Sequence, residues 1–185
     1  MNLKTALLGA TAAVAFAPMA IADGHEGERG RDGQLNIIYW QAPSTLNPYL
    51  SGGTKEVESA SLVLESLGRF SNTGELLPWL AAEIPTVENG GIAEDLTSIT
   101  WTLQDGVLWS DGTPLTANDA VFTWQYCTAE GGGCAQASYF DGVESVEAVD
   151  DLTIKITFDA PKPFPYTALV GSESPIIQAA QFADC

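Results

Sequence analysis

"LWSDGTPLTANDAVFTW", residues 108–124, sets a turn, a stiff exit and a helix start in one short run. Asp111-Gly112 supplies the turn, and Pro114 fixes φ on the way out. Thr116 stands where a helix needs its N-cap. Asp119, three residues on, gives the capping-box spacing with Asp in place of Glu. The helix that starts at Ala117 then buries Ala117, Ala120, Val121, Trp124 and Cys127 on one face. Every polar residue of the run has a backbone duty in this reading. The stretch is scaffold, and a ligand has to be sought elsewhere.

The segments on either side have strand character. "SITWTL", residues 98–103, alternates, with Ile99, Trp101 and Leu103 inward and Ser98, Thr100 and Thr102 outward. Asp105-Gly106 reads as a hairpin turn with residues 107–109 returning along that strand. Residues 143–149 and 152–158 form a second hairpin about Asp150-Asp151, with Leu152, Ile154, Ile156 and Phe158 inward. Toward the N-terminus, "LNIIYW" (35–40) reads as a first buried strand and "QAPSTLNPYLSGG" as a loop. Thr54 can cap a helix to about Leu67, with Val57, Ala60, Ser61, Leu64 and Leu67 on one face. Glu56 and Glu58 lie in its first turn, and Gly68 can close it. The sum is α+β, built locally from antiparallel hairpins, with no internal repeat.

The chain begins "MNLKTALLGATAAVAFAPMAIADG", one Lys followed by an uncharged apolar run to Ala22. Ala20 and Ala22 place small residues where signal peptidase reads, so residues 1–22 are expected to be a cleaved secretory signal. The run is short for a membrane span and holds Pro18. Residues 23–34, "DGHEGERGRDGQ", read as a solvated leader. Net charge −17 argues against nucleic acid and anionic lipid as partners. In an exported chain, cysteines are disulfide material. Cys127 and Cys134 are expected to bridge across "TAEGGG", whose glycines let the loop close, while Cys185 is left to pair with a cysteine outside this sequence.

No catalytic set assembles. The single histidine, His25, lies in the leader, so no Ser-His or Cys-His pair can form on a rigid element. No phosphate loop, zinc spacing or calcium loop occurs, and neither a cofactor nor a resident metal is expected. Asp111 and Asp119 could serve as an acid–base pair, which keeps an exported carboxylate-dependent hydrolase as the alternative reading. Cleavage after Ala22 would expose Asp23-Gly24-His25, whose four nitrogens suit Cu(II) or Ni(II), although such binding is read as incidental.

"ITWTLQDGVLWSDGTPLTANDAVFTWQY" resembles the signature of the family 5 extracytoplasmic solute-binding proteins of ABC importers, the oligopeptide, dipeptide and nickel group. Trp101, Leu103, Trp109, Ser110, Asp111, Gly112, Thr113, Pro114, Thr116, Ala117, Asp119, Val121 and Phe122 occupy the signature's positions. Gln104, where a basic residue is usual, and Ala120, where Val is usual, depart from it. "LNPYL", "GELLPWLAAEIP" and "VDDLTIKITFDAPKPF" extend the likeness, in order, over residues 35–182.

The resemblance implies a bilobal class II periplasmic binding fold of which this sequence is an N-terminal portion. Residues 35–70 would begin lobe I, 71–175 a small α+β domain, and 176–185 the return to lobe I. It implies a monomeric periplasmic binder, not an enzyme, that delivers a peptide or similar solute to a membrane permease. Ligand contacts are expected in "YLSGGT": Ser51, Gly52, Gly53 and Thr54, with Trp40 and Tyr49 as pocket walls. Adjacent glycines let backbone groups approach a ligand, which suits an extended peptide. The two glutamates nearby favour an ammonium group over an anion.

Overall fold

The structure, a computed structural model, describes residues 36–182. These fall in two units, residues 36–38 and residues 39–182. In the first, Asn36, Ile37 and Ile38 are exposed and form no strand, against the strand expected over 35–40. In the second, Tyr39 and Trp40 are not in a strand either. Apolar and β-branched character is not sufficient for a strand, which needs a neighbouring ladder, and the sheets among the described residues are built from other segments.

The second unit runs α1 (Thr54–Ala60), β1 (Gly68–Phe70), β2 (Leu76–Pro78), β3 (Ser98–Thr102), α2 (Ala117–Thr128), β4 (Val143–Ala148), β5 (Thr153–Phe158) and α3 (Ala179–Phe182). Short 3-10 turns lie at Pro48–Leu50 and Ala137–Phe140. The β4–β5 hairpin forms where the alternation places it, with Val146 opposite Ile156 and Ala148 opposite Ile154. β5 is also the partner of β3, with Ile99 opposite Ile156 and Trp101 opposite Ile154, so the sheet order is β3-β5-β4. One face of it carries Ile99, Trp101, Ile154 and Ile156, all fully buried, and α2 packs against β4 and β5. Burying aliphatic side chains of this size stabilises by about 2 kcal/mol each before entropy is counted.

Three local expectations are corrected. First, residues 107–109 do not return along β3, because β5 takes one side of it and residues 82–93 the other. They pair forward instead: Trp109 N–H donates to Thr113 O at 2.8 Å, and Leu115 N–H to Val107 O at 3.0 Å. Second, α1 stops at Ala60 and not near Leu67. Leu67 is buried at a bend just before β1, its N–H donating to Leu169 O at 2.8 Å. Arg69 Nη2 donates to the carbonyls of Ser61 (3.0 Å) and Leu64 (3.1 Å), groups that a longer helix would have used itself. Third, the N-cap of α1 is Gly53, and Thr54 is the first helical residue.

α2 starts at the expected residue. Thr116 N–H donates to Asp119 Oδ2 at 3.0 Å, the reciprocal leg of the capping box. Its buried face differs in part, however: Ala117, Ala120 and Cys127 are joined by Asp119 and Thr123, while Val121 and Trp124 are half-buried. One core cluster runs from Tyr49 to Ile177, and the β1–β2 hairpin straddles the boundary expected at residues 70–71.

Candidate functional site

The residues before α1 are held by side-chain caps. Asn47 Oδ1 accepts from Tyr49 N–H at 3.0 Å, starting the 3-10 turn, and Asn47 Nδ2 donates to Tyr126 Oη at 3.1 Å. Tyr49 is fully buried, its hydroxyl donates to Pro175 O, and its own carbonyl accepts from Ala135 N–H at 2.8 Å. Burial pushes the phenol pKa up. Tyr49 is therefore a core anchor for the loop and not a pocket wall, since its ring and hydroxyl are both spent inside the protein.

Past this anchor the chain opens. Ser51 and Gly53 are half-buried, and Gly52 and Thr54 are exposed. Gly53 N–H donates to Ser51 Oγ at 3.2 Å. A Cβ on Gly52 would meet nothing within 4 Å, whereas one on Gly53 would lie 2.5 Å from Glu56 Oε2.

Glu56, on the first turn of α1, is only 2% exposed. Its Oε1 accepts from Ser44 N–H at 2.9 Å and from the Lys55 ammonium at 2.7 Å. Lys55 first, then the Ser44 N–H, holds the carboxyl at about 2, so it is ionised at any ordinary pH. Lys55 Nζ also donates to Ser44 Oγ (2.8 Å) and Ala42 O (3.2 Å), and the Tyr39 hydroxyl donates to Glu58. Three charged residues of α1 thus clasp the 39–44 segment. Trp40 lies in that segment, 70% exposed. The clasp brings Trp40 and the Ser51–Thr54 loop to the same short helix.

Beside the loop is an open pocket of about 490 Å³, lined by Leu50, Phe122, Gln125, Tyr126 and Phe182. Another, of about 410 Å³, lies against the 107–115 turn and is lined by Leu64, Leu80, Trp109, Leu115 and Gln178. That turn is fully engaged. Asp111 accepts from Thr113 Oγ1 (2.6 Å), Thr113 N–H (2.9 Å) and Gln178 Nε2 (2.7 Å), and the same three donors, in the same order, hold its pKa down. Asp119 accepts from Thr116 N–H, from Trp109 Nε1 at 3.3 Å and from Ala179 N–H at 2.9 Å. Each carboxylate is committed to its own donors, an arrangement suited to holding a turn and a helix start in place.

Cys127 and Cys134 are joined through their sulfurs, with Cα atoms 5.1 Å apart. Gly131 and Gly133 between them adopt φ of 74° and 62°, the left-handed region that glycine enters freely. The signal cleavage position, His25 and Cys185 lie outside the described residues.

Sequence reasoning placed Glu56 near the loop but missed its burial. With Gly53 as cap, the Gly-x-x-Glu spacing is the signal that could have shown it. Nothing local pointed to the pairing of Asn47 with Tyr126 or of Gln178 with Asp111.

A family profile described as "Bacterial extracellular solute-binding proteins, family 5 Middle" matches residues 75–184. The chain is 29% identical to the oligopeptide-binding protein OppA of Bacillus subtilis over 156 residues, 75% of this chain and 28% of that protein. It is 31% identical to the periplasmic murein peptide-binding protein MppA of Escherichia coli over 140 residues, 66% of this chain and 25% of that protein. In structure it resembles Haemophilus influenzae OppA, solved in complex with the peptide RPPGFSPFR, at a TM-score of 0.69 and 24% identity. That likeness covers 77% of this chain and 30% of the other. The chain thus spans less than a third of the length of these relatives.

Proposed function

The chain belongs to the family 5 bacterial extracellular solute-binding proteins, and on that premise we propose that it serves peptide capture for an ABC importer outside the cytoplasm. The observation that carries the reading is the Ser51–Thr54 loop. It is anchored by Tyr49 in the core and offers backbone groups with little side chain in the way. An extended peptide needs main-chain partners once buried, and such a loop supplies them. Trp40, exposed on the clasped segment, is the aromatic contact in this reading, and Tyr49 acts through the loop it holds.

The oligopeptide- and murein peptide-binding relatives support a peptide as the solute and a membrane permease as the partner. In the same reading residues 1–22 are removed on export, the Cys127–Cys134 bridge forms in an oxidising compartment, and the binder is monomeric. In this reading residues 35–70 belong to lobe I, 71–175 to the small domain and 176–185 to the return to lobe I. The hydrolase alternative gains no support from the family, and Asp111 and Asp119 are both tied to scaffold donors.

Native mass spectrometry of the protein isolated from its host tests the proposal. The expected result is a co-purified peptide that is lost on mild denaturation. A different class of retained solute would overturn it.

A further inference from the structure

Gly53 has one N–H to give and two acceptors beside it. The N–H goes to Ser51 Oγ, at a rather long 3.2 Å. Glu56 Oε2 lies against the same residue, 2.5 Å from where a Cβ would stand. That oxygen is buried and, among the described residues, accepts nothing. Its sister oxygen is fully engaged by Ser44 and Lys55. A buried carboxylate oxygen without a donor is unfavourable, so its position asks for a partner. Glu56 is the third helical residue after the Gly53 cap, from which a capping-box side chain reaches back to the cap's N–H. Here that box stands open, because Ser51 holds the donor.

We propose that Ser51 Oγ and Glu56 Oε2 are alternative acceptors for the Gly53 N–H, so that ligand capture frees the Ser51 hydroxyl while Glu56 takes over the amide. The inference rests on the reading that this loop contacts the ligand. A freed hydroxyl both donates and accepts, which suits the main-chain amides of a peptide. The swap keeps the Gly53 donor paired throughout, so releasing Ser51 leaves no orphaned group behind. Glu56 is then a positioning residue, acting through Gly53 without touching the ligand. The glycine itself also finds its reason. Its φ of −72° is open to any residue, so residue 53 is glycine for the space against Oε2 and not for backbone freedom.

Glu56→Gln removes the standby acceptor with little change of volume. The Ser44 N–H requires an oxygen on its side, so the amide nitrogen is left facing Gly53. Hydrogen exchange of the Gly53 amide in the full chain, without ligand, is the first measurement. In Ser51→Ala the amide stays protected, because Glu56 accepts it. In Ser51→Ala/Glu56→Gln it exchanges at least about tenfold faster. Glu56→Asp, which keeps the charge but falls short of Gly53, gives the same result in the Ser51→Ala background and stands in if the Gln variant misfolds. Equal exchange with and without the Glu56 carboxylate overturns the swap.

Calorimetric titration with trialanine is the second measurement. Glu56→Gln weakens binding about tenfold when Ser51 is present and leaves it unchanged in Ser51→Ala. Additive losses overturn the proposal. If neither trialanine nor a mixed tripeptide library binds any variant, wild type included, it is the peptide reading that fails. The amide exchange still decides between the two acceptors.

Discussion

Two stretches of this protein turn through glycine into a helix, residues 51–60 and residues 111–128, and they end up with opposite characters. In the second, Asp111 closes on Thr113 and Gln178, and Asp119 closes on Thr116, Trp109 and Ala179. Both carboxylates are satisfied by the protein itself. In the first, Gly53 has no side chain to cap α1, Glu56 keeps an oxygen unpaired, and Gly52 lies open. A turn that satisfies its own polar groups is structure. One that leaves a buried acceptor unpaired beneath an open glycine backbone has capacity left for recognition.

The contrast breaks most directly at Asp119. Asp119→Ala strands three donors around a buried position and is expected to cost about 3 kcal/mol in urea unfolding, while the folded fraction keeps its affinity for peptide. Loss of affinity without loss of stability would move the binding role to the 111–128 stretch.

Gly53→Val should show the reverse pattern. Its side chain overlaps Glu56 Oε2 and lifts the loop, lowering peptide affinity at least about tenfold by calorimetry, with a smaller change in thermal midpoint. Gly52→Ala, which has open space around it, is the control and is expected to leave stability unchanged.

A milder effect is expected at Asp111, whose carboxylate is exposed. Asp111→Ala should lower the thermal midpoint by less than Asp119→Ala does and spare affinity, as calorimetric scans would read. Acid sharpens the same comparison by the smallest step. The carboxyls of Glu56 and Asp111 are both held below their ordinary values by donors that favour the charged form. Each group's contribution is therefore present above its unfolded value and is lost as pH falls through its folded one. For Glu56 that window runs from 4.5 down to about 2. Stability should be insensitive to these groups from neutrality to near 4.5 and then fall. In Glu56→Gln the decline should be shallower.

The legible parts of the fold were those that answer to neighbours in sequence. The β4–β5 hairpin follows from alternation, and the start of α2 from Thr116 and Asp119. Most of the rest depends on partners far along the chain. Tyr49 looked like a pocket wall because nothing nearby shows that Pro175 will accept its hydroxyl. Leu67 looked helical because its helical spacing was right and Leu169, its actual partner, lies far away in sequence. At the loop, the glycine pair pointed to an open backbone. The buried carboxylate beneath it is not legible locally, because the residues that cover Glu56, 44 and 53, reach it only in the folded chain.

The grip of Asp119 on Ala179 also bears on the order in which the chain assembles. The capping box needs only Thr116 and Asp119, so the first turn of α2 can form as soon as those residues are made. The third donor to Asp119 arrives 60 residues later, and Ile177 N–H reaches Thr123 Oγ1 across 54. Closing loops of that length carries a large entropy cost that no local contact offsets in advance. Until residues 177–179 are made, Asp119 lacks its Ala179 donor and Thr123 Oγ1 lacks the Ile177 N–H, so this part of the α2 packing depends on chain made well after the helix itself.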